Sequence, residues 1–258
     1  RGADGVRLGL IKGVLAITTG WEESGETKLY LHPGTEEVRE PWPNVVVGNT
    51  PSVEDAVFLP MQADYPVILS CCEGREQSIY VHGRGAAMTS LLQSEWQSFL
   101  LSSSRQKMQW MFCVPFQLDE KNGLDLICAG KNENAAIGWF EAPENADDWE
   151  NYAWRPLSPV GWVMSILVSD MDGDGDEDIV LSDRRGELSG CRWLKNPGTE
   201  KLKISEWQNH FIGAKGQEVM FMTLADVNGD GLQDAVAAVK QDSLYYFQRL
   251  DNSGKNWS

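Results

Sequence analysis

Short apolar or alternating runs, bounded by Gly, Pro, Asn and Asp, follow one another along nearly the whole chain. Period-two alternation and brief continuous apolar runs are strand signals, and the 3.6-residue period of an amphipathic helix is scarcely visible. The stretches Val163 to Ser169, Ile179 to Ser182, Gly190 to Lys195 and the run after Trp207 ending at Ile212 predict four successive strands. Val219 to Ala225, Ala235 to Val239, Leu244 to Arg249 and a start at Trp257 repeat that order. Ala86 to Leu101 breaks the pattern and reads as an insertion carrying a helical turn.

Two aromatic series give the chain a period. Trp42, Trp96, Trp154, Trp207 and Trp257 are separated by 54, 58, 53 and 50 residues. Tyr30, Tyr80, Trp139, Trp193 and Tyr246 keep the same phase, at 50, 59, 54 and 53. The boundaries are about 1–50, 51–105, 106–160, 161–215 and 216–258. Four short strands per unit at this period is the arithmetic of a propeller blade, because one such sheet buries its faces only against neighbours. The expectation is an all-β fold, a single β-propeller domain of four-stranded blades over 1–258 with the last blade incomplete. The five units are either a whole ring or an arc of a six- or seven-bladed one.

Two windows concentrate acid. Asp170-Met-Asp172-Gly-Asp174-Gly-Asp176-Glu-Asp178 and Asp226-Val-Asn228-Gly-Asp230-Gly-Leu232-Gln-Asp234 place oxygen-bearing side chains at positions one, three, five and nine, with glycine at six. Calcium takes several hard oxygen ligands in flexible geometry, and glycine lets the backbone turn around the ion. Position seven, Asp176 or Leu232, offers its carbonyl. The twelfth-position glutamate of an EF-hand is replaced by Leu181 and Ala237, so the ninth-position aspartate is expected to complete the site. Two calcium sites are predicted. The third unit carries a shortened version, Gln117, Asp119, Asn122 and Asp125, which reads as a weak site at best. The second has only Asp64 within Met61 to Pro66, the first only Leu10-Ile-Lys12-Gly13, and no calcium is expected at either.

The spacing Asp-x-Asp-Gly-Asp-Gly-x-x-Asp ahead of an apolar strand resembles the FG-GAP or VCBS repeat, the calcium-binding blade also present in integrin α-subunit propellers. The stretch from Ser182-Asp-Arg-Arg-Gly through Cys191-Arg-Trp-Leu-Lys-Asn-Pro-Gly198 is similar to secreted bacterial, planctomycete-like members. The resemblance covers the fourth and fifth units closely and the others only in strand pattern and aromatic anchors. It implies a propeller with structural calcium between first and second strands, away from the ligand surface.

Charge narrows the partners. A net charge of −16 argues against nucleic acid, whose affinity comes mainly from cations on phosphates, and against an anionic membrane surface. No apolar stretch approaches the length that inserts into a bilayer. The five cysteines lack metal-ligand or scaffold spacing and read as buried thiols. Strand order puts two sets of loops opposite the aspartate windows. They carry Trp21, Trp110 and Trp162 beside Glu73, Arg75, Lys131, Asp183, Arg184, Arg185 and Lys240. Tryptophan with polar groups at its edge suits a sugar or peptide site, so Trp21, Trp110, Trp162, Glu73, Arg75 and Arg184 are the ligand-binding candidates. Arg184-Arg185 reads as a solvated turn ahead of an anion clamp. Asp4, Asp55 and Glu218 recur at the starts of first strands, which leaves a propeller glycosidase or lyase as the alternative to a non-enzymatic module. The leading expectation is an extracellular or periplasmic, calcium-stabilised module that binds carbohydrate or protein.

Overall fold

A computed structural model describes residues 3–60, 66–84, 91–204, 206–240 and 242–258. Among them the chain is all-β: five antiparallel sheets, four of four strands and one of three, each with its strands side by side in chain order. It divides into two compact units, one of residues 1–115 with 146–152, the other of 116–145 with 153–258.

The first unit holds β1 (Asp4–Ile11), β2 (Val14–Trp21), β3 (Glu26–Leu31) and β4 (Asn44–Asn49), then β5 (Val53–Leu59), β6 (Val67–Cys72), β7 (Ser78–Arg84) and β8 (Trp96–Leu100). The boundary between units falls inside β9 (Gln109–Phe116). Between the two sheets of this unit lies a core of Ile11, Ala16, Leu29, Val47, Ala56 and Ile68, extended by Phe58 and Trp96. Beside it runs a polar chain, buried from Thr50 to His82 and ending at the exposed Ser98: Thr50 to Thr27 (2.7 Å), Thr27 to Ser70 (2.7 Å), Ser70 to His82 Nε2 (2.8 Å), and His82 Nδ1 to Ser98 (2.8 Å). The sheets approach so closely that a Cβ at Gly48 would overlap the His82 ring, and one at Gly9 would overlap Phe58. Only a residue without a side chain fits there.

The second unit holds β10 (Asp125–Lys131), β11 (Ala136–Glu141) and β12 (Ala153–Pro159), then β13 (Val163–Ser169), β14 (Asp178–Asp183), β15 (Gly190–Lys195) and β16 (Gln208–Gly213). The three-stranded sheet is β17 (Val219–Ala225), β18 (Asp234–Val239) and β19 (Ser243–Phe247). β10 and β14 are buried at every position, which explains their unbroken apolar runs. The fourth strands β12 and β16 are mostly half-buried or exposed, with one buried position each, and carry more polar sequence. Met171, Val180, Trp193, Val219 and Ala235 pack between the last two sheets.

The aromatic period has a structural counterpart. Trp96 and Trp154 lie at the start of fourth strands, Trp42 and Trp207 just ahead of them, and Trp257 forms an isolated antiparallel bridge with Arg249, beyond the three-stranded sheet. Tyr30, Tyr80, Trp139, Trp193 and Tyr246 lie on third strands. Of the segment read as an insertion with a helical turn, the described part holds a 3-10 turn, Leu91–Gln93, but then an ordinary fourth strand, β8, whose ladder runs from Arg84↔Trp96 to Tyr80↔Leu100. Its polar sequence, Trp-Gln-Ser-Phe-Leu, hides a strand that its pairing with β7 specifies. Met61 to Tyr65, with Asp64, and Gly85 to Ser90 lie outside the described residues.

Candidate functional site

Both aspartate windows join the first strand of a sheet to its second, and they fold alike. Asp170 Oδ1 accepts from the backbone N–H of Gly173 (2.8 Å) and Asp174 (3.2 Å), and Oδ2 from Gly175 (3.0 Å). Asp226 does the same with Gly229 (2.8 Å), Asp230 (3.1 Å) and Gly231 (3.0 Å). Gly173, Gly175, Gly229 and Gly231 all have φ between 75° and 93°, the left-handed region that brings the chain around the first aspartate. The loop shape is therefore written in the local sequence.

The ninth position has a role that spacing alone did not reveal. Asp178 is fully buried and accepts from Met171 N (2.8 Å) and Asn196 N (2.7 Å), one on each oxygen. Asp234 accepts from Val227 N (3.2 Å), Arg249 N (2.9 Å) and the Tyr246 hydroxyl (2.9 Å). Asp125, in the shortened third loop, takes Leu118 N, Asp119 N and Ala142 N. In all three repeats this aspartate ties the loop's start to the chain leaving the third strand, whatever the loop's acid content. Carboxylate oxygens carry two lone pairs each, so Asp178 and Asp234 keep capacity for a further partner. Burial pushes Asp178 up to about 7, with the Asp172 charge adding to it, against the Asn196 and Met171 N–H bonds that favour its ionised form.

The first window gathers carboxylates. Asp170, Asp172 and Asp174 each offer an oxygen within 4.8 Å of the others. Asp172 Oδ1 is buried without a hydrogen-bond partner, an oxygen that the protein leaves unsatisfied. The Lys195 ammonium, on β15, bonds Asp172 Oδ2 and also Asp174 Oδ2 (2.6 Å). That bond to Lys195 holds Asp174 below the usual carboxylate range. An all-oxygen set with an orphaned buried member fits a hard divalent cation. The second window is more exposed, and there the Asn228 amide donates to Asp230 (2.8 Å), so the loop is partly satisfied from within. In the third repeat Gln117 Oε1 and Asp119 Oδ2 are buried without partners. In the first, β1 and β2 meet in a tight turn at Lys12 and Gly13, with φ of 51° and 81° and no carboxylate.

At the other strand ends the candidates separate. Trp110 is fully buried and donates its indole N–H to the Ser104 carbonyl (3.0 Å), so it is core and offers no surface. Trp21 is half-buried with Lys28 over its ring at 5.5 Å. Glu73 and Arg75 stand on the β6–β7 turn, Arg75 exposed. Asp55 is fully buried and held by Arg7 through two bonds, Nε to Oδ1 (3.0 Å) and Nη2 to Oδ2 (2.7 Å), joining β1 to β5. Asp4 lies exposed at the head of β1.

In the second unit the same loops converge. Trp162 has Arg184 at 4.5 Å, Arg185 at 4.6 Å and Lys131 at 4.7 Å from its ring centroid. Glu218 accepts from Arg184 Nε (3.0 Å) and Lys240 Nζ (2.9 Å), and those bonds, to Lys240 first, pull it below the usual range. Beneath them Asp183 is buried, accepting from the N–H groups of Gly161, Trp162 and Arg185, which fixes the loop that carries both arginines. Sequence reasoning had placed these residues at the same strand ends. It had not foreseen that both guanidiniums lie over one indole.

Residues 170–237, from the first aspartate of one window to the strand beyond the other, match the family described as an FG-GAP-like repeat. A search of the curated proteins finds no match. One such repeat on an all-β, sheet-repeat architecture suggests a β-propeller-like binding module.

Proposed function

We propose that this protein is a calcium-stabilised β-propeller binding module whose ligand, a carbohydrate or a protein, sits on the loops at the strand ends away from the aspartate windows. The observation that carries the reading is the convergence of Asp170, Asp172 and Asp174 around an unsatisfied buried oxygen, inside a segment matching the FG-GAP-like repeat. Asp170, Asp172, Asp174 and Asp178 would hold the ion through carboxylates and Asp176 through its carbonyl. Asp226, Asn228, Asp230 and Asp234, with the Leu232 carbonyl, would do so in the second loop.

A bound dication supplies the positive charge that lets several carboxylates share a small volume. The protein supplies the rest. Gly173 and Gly175 turn the backbone, the three N–H bonds to Asp170 fix its orientation, and Asp178 anchors the loop to the chain after β15. Lys195 neutralises two of the carboxylates, a charge that a bound ion would supply in its place. Loops of this kind suit the millimolar calcium outside cells, in keeping with an extracellular or periplasmic protein.

The test is a calorimetric melt of the whole chain in excess calcium and in chelator. An ion that binds only the folded state adds about 2.7 kcal/mol at a hundredfold excess over its dissociation constant. Identical midpoints in the two conditions would remove calcium from the account.

A further inference from the structure

We infer that the outer face of the first sheet and the outer face of the last sheet are the two halves of a head-to-tail interface between copies of this chain.

Two junctions inside the chain show how its sheets pack. β1 and β2 lie against β5, and β13 and β14 lie against β17. Each time a glycine on the fourth strand of the earlier sheet meets a ring on the third strand of the later one, Gly48 against His82 and Gly213 against Phe247. Side chains alternate between the two faces of a strand, and residues paired across a ladder share a face. The registers therefore identify which residues would make a junction of the same kind on the two outer faces.

In the first sheet Tyr30 pairs with Ile17 and Ile17 with Leu8, as Tyr80 pairs with Ser70 and Ser70 with Ala56 in the second. Leu8, Leu10 and Leu15 thus stand where the second sheet has Ala56, Phe58 and Ile68, which pack on the first sheet. Ala56 and Ile68 are fully buried, whereas Leu8 and Leu10 are 70% and 68% exposed. In the last sheet Tyr246 pairs with Val236 as Trp193 pairs with Val180 in the sheet before it. Val180, Cys191 and Trp193 are fully buried against the last sheet. Tyr246 is exposed, and Leu244, in the place of Cys191, is 77% exposed.

The first sheet therefore offers the later half of a junction and the last sheet the earlier half. Single exposed apolar residues are ordinary, but a row of them on one face marks a contact surface. The halves are unlike, so a first sheet fits a last sheet rather than another first sheet, and the contact is heterologous. Within one copy both patches are uncovered, so the complementary patch comes from a second copy. The residues named on both patches are uncharged, while the chain's net charge of −16 opposes self-association. The contact therefore tightens as salt screens that repulsion.

The test is sedimentation velocity of the whole chain over roughly 1–100 µM, the weak end of the range that ordinary interfaces span. The variants are Leu8→Glu on the first patch, Leu244→Glu on the last, and Val38→Glu, an exposed apolar position off both patches, as control. All three should melt near the parent, because each site is open to solvent. The parent is expected to form species of two copies and more as concentration or salt rises. Leu8→Glu and Leu244→Glu should each weaken association about a hundredfold or more, since either buries an unpaired carboxylate in the contact, while Val38→Glu associates as the parent does. An equimolar mixture of Leu8→Glu and Leu244→Glu should assemble into pairs and nothing larger, because each brings the patch the other has lost. A parent that stays monomeric throughout overturns the inference, as does a mixture that fails to pair or association that weakens with salt. Loss of association in only one of the two patch variants makes the contact a patch meeting itself and overturns it too. A calcium-dependent melt beside a monomeric parent leaves the binding-module reading standing.

Discussion

Replacing Arg7 by Met strips a fully buried Asp55 of its counter-ion. Breaking a buried pair by removing one partner costs about 3–5 kcal/mol, because the remaining charge has no compensation. Arg7 is 41% exposed, so solvent reaches one side of the pair and lowers the expected loss to about 2–3 kcal/mol. For a chain of this length the calorimetric midpoint should fall by roughly 4–12 °C. The Asp55→Leu single variant and the Arg7→Met/Asp55→Leu double variant complete a cycle. Replacing both partners removes the uncompensated charge, although it frees the Ala56 N–H that Asp55 accepts (3.0 Å), so the double variant should recover part of the loss. The deficit of Arg7→Met should also shrink as pH falls, since protonating a bare buried carboxyl removes its charge. A loss below about 0.5 kcal/mol, or a double variant no better than Arg7→Met, would refute the claim that this pair joins β1 to β5. The experiment bears on function too: if Asp55 is a structural anchor, a change in any hydrolytic readout at that position must first be corrected for unfolding.

Other outcomes follow from single contacts. His82, buried and pushed down to about 4 by desolvation, is neutral in the fold, whereas its ordinary value is 6.5. The unfolded chain takes up the proton first, so stability is lost as pH falls from about 6.5 towards 4, by about 2 kcal/mol between pH 7 and pH 5. Urea titrations across that range should show the slope, and His82→Asn should flatten it. Lys195→Met removes the ammonium from Asp172 and Asp174, so the calcium-free midpoint should fall and calorimetric calcium affinity should rise by about threefold or more; unchanged affinity would mean that Lys195 does not compete. Arg249 is buried and donates to the carbonyls of Met171 (2.7 Å), Asp251 (3.0 Å) and Asn252 (3.2 Å), while its own N–H bonds Asp234. Arg249→Ala should cost about 2–3 kcal/mol and reduce hydrogen-exchange protection at Met171, in the other aspartate loop; full protection there would break the proposed link between loops.

The later repeats were easy to read because their signals are local. β13, β15 and β17 begin and end where the apolar runs do, and the glycines of both windows specify the turn that follows. What stayed hidden depends on partners distant in sequence. β8 is a strand because β7 pairs with it, and its own residues alternate poorly. Trp110 points inward because Ser104 offers a carbonyl there, although its run of Trp-Met-Phe does not distinguish core from rim. Asp55 resembled a candidate acid until Arg7, 48 residues away, claimed both its oxygens. Asp178 looked like a ligand alone because spacing reports which residues carry oxygen and says nothing of which backbone amides reach them.

The bare glycines that face aromatic rings across adjoining sheets, Gly9 against Phe58, Gly48 against His82 and Gly213 against Phe247, have an evolutionary consequence. Each pair shares one volume, so neither partner drifts alone: a methyl gained on one side must be matched by a smaller group on the other. Among descendants of this sequence, those positions should change in couples, and a glycine lost without its opposite ring shrinking would mark a lineage whose sheets have shifted apart.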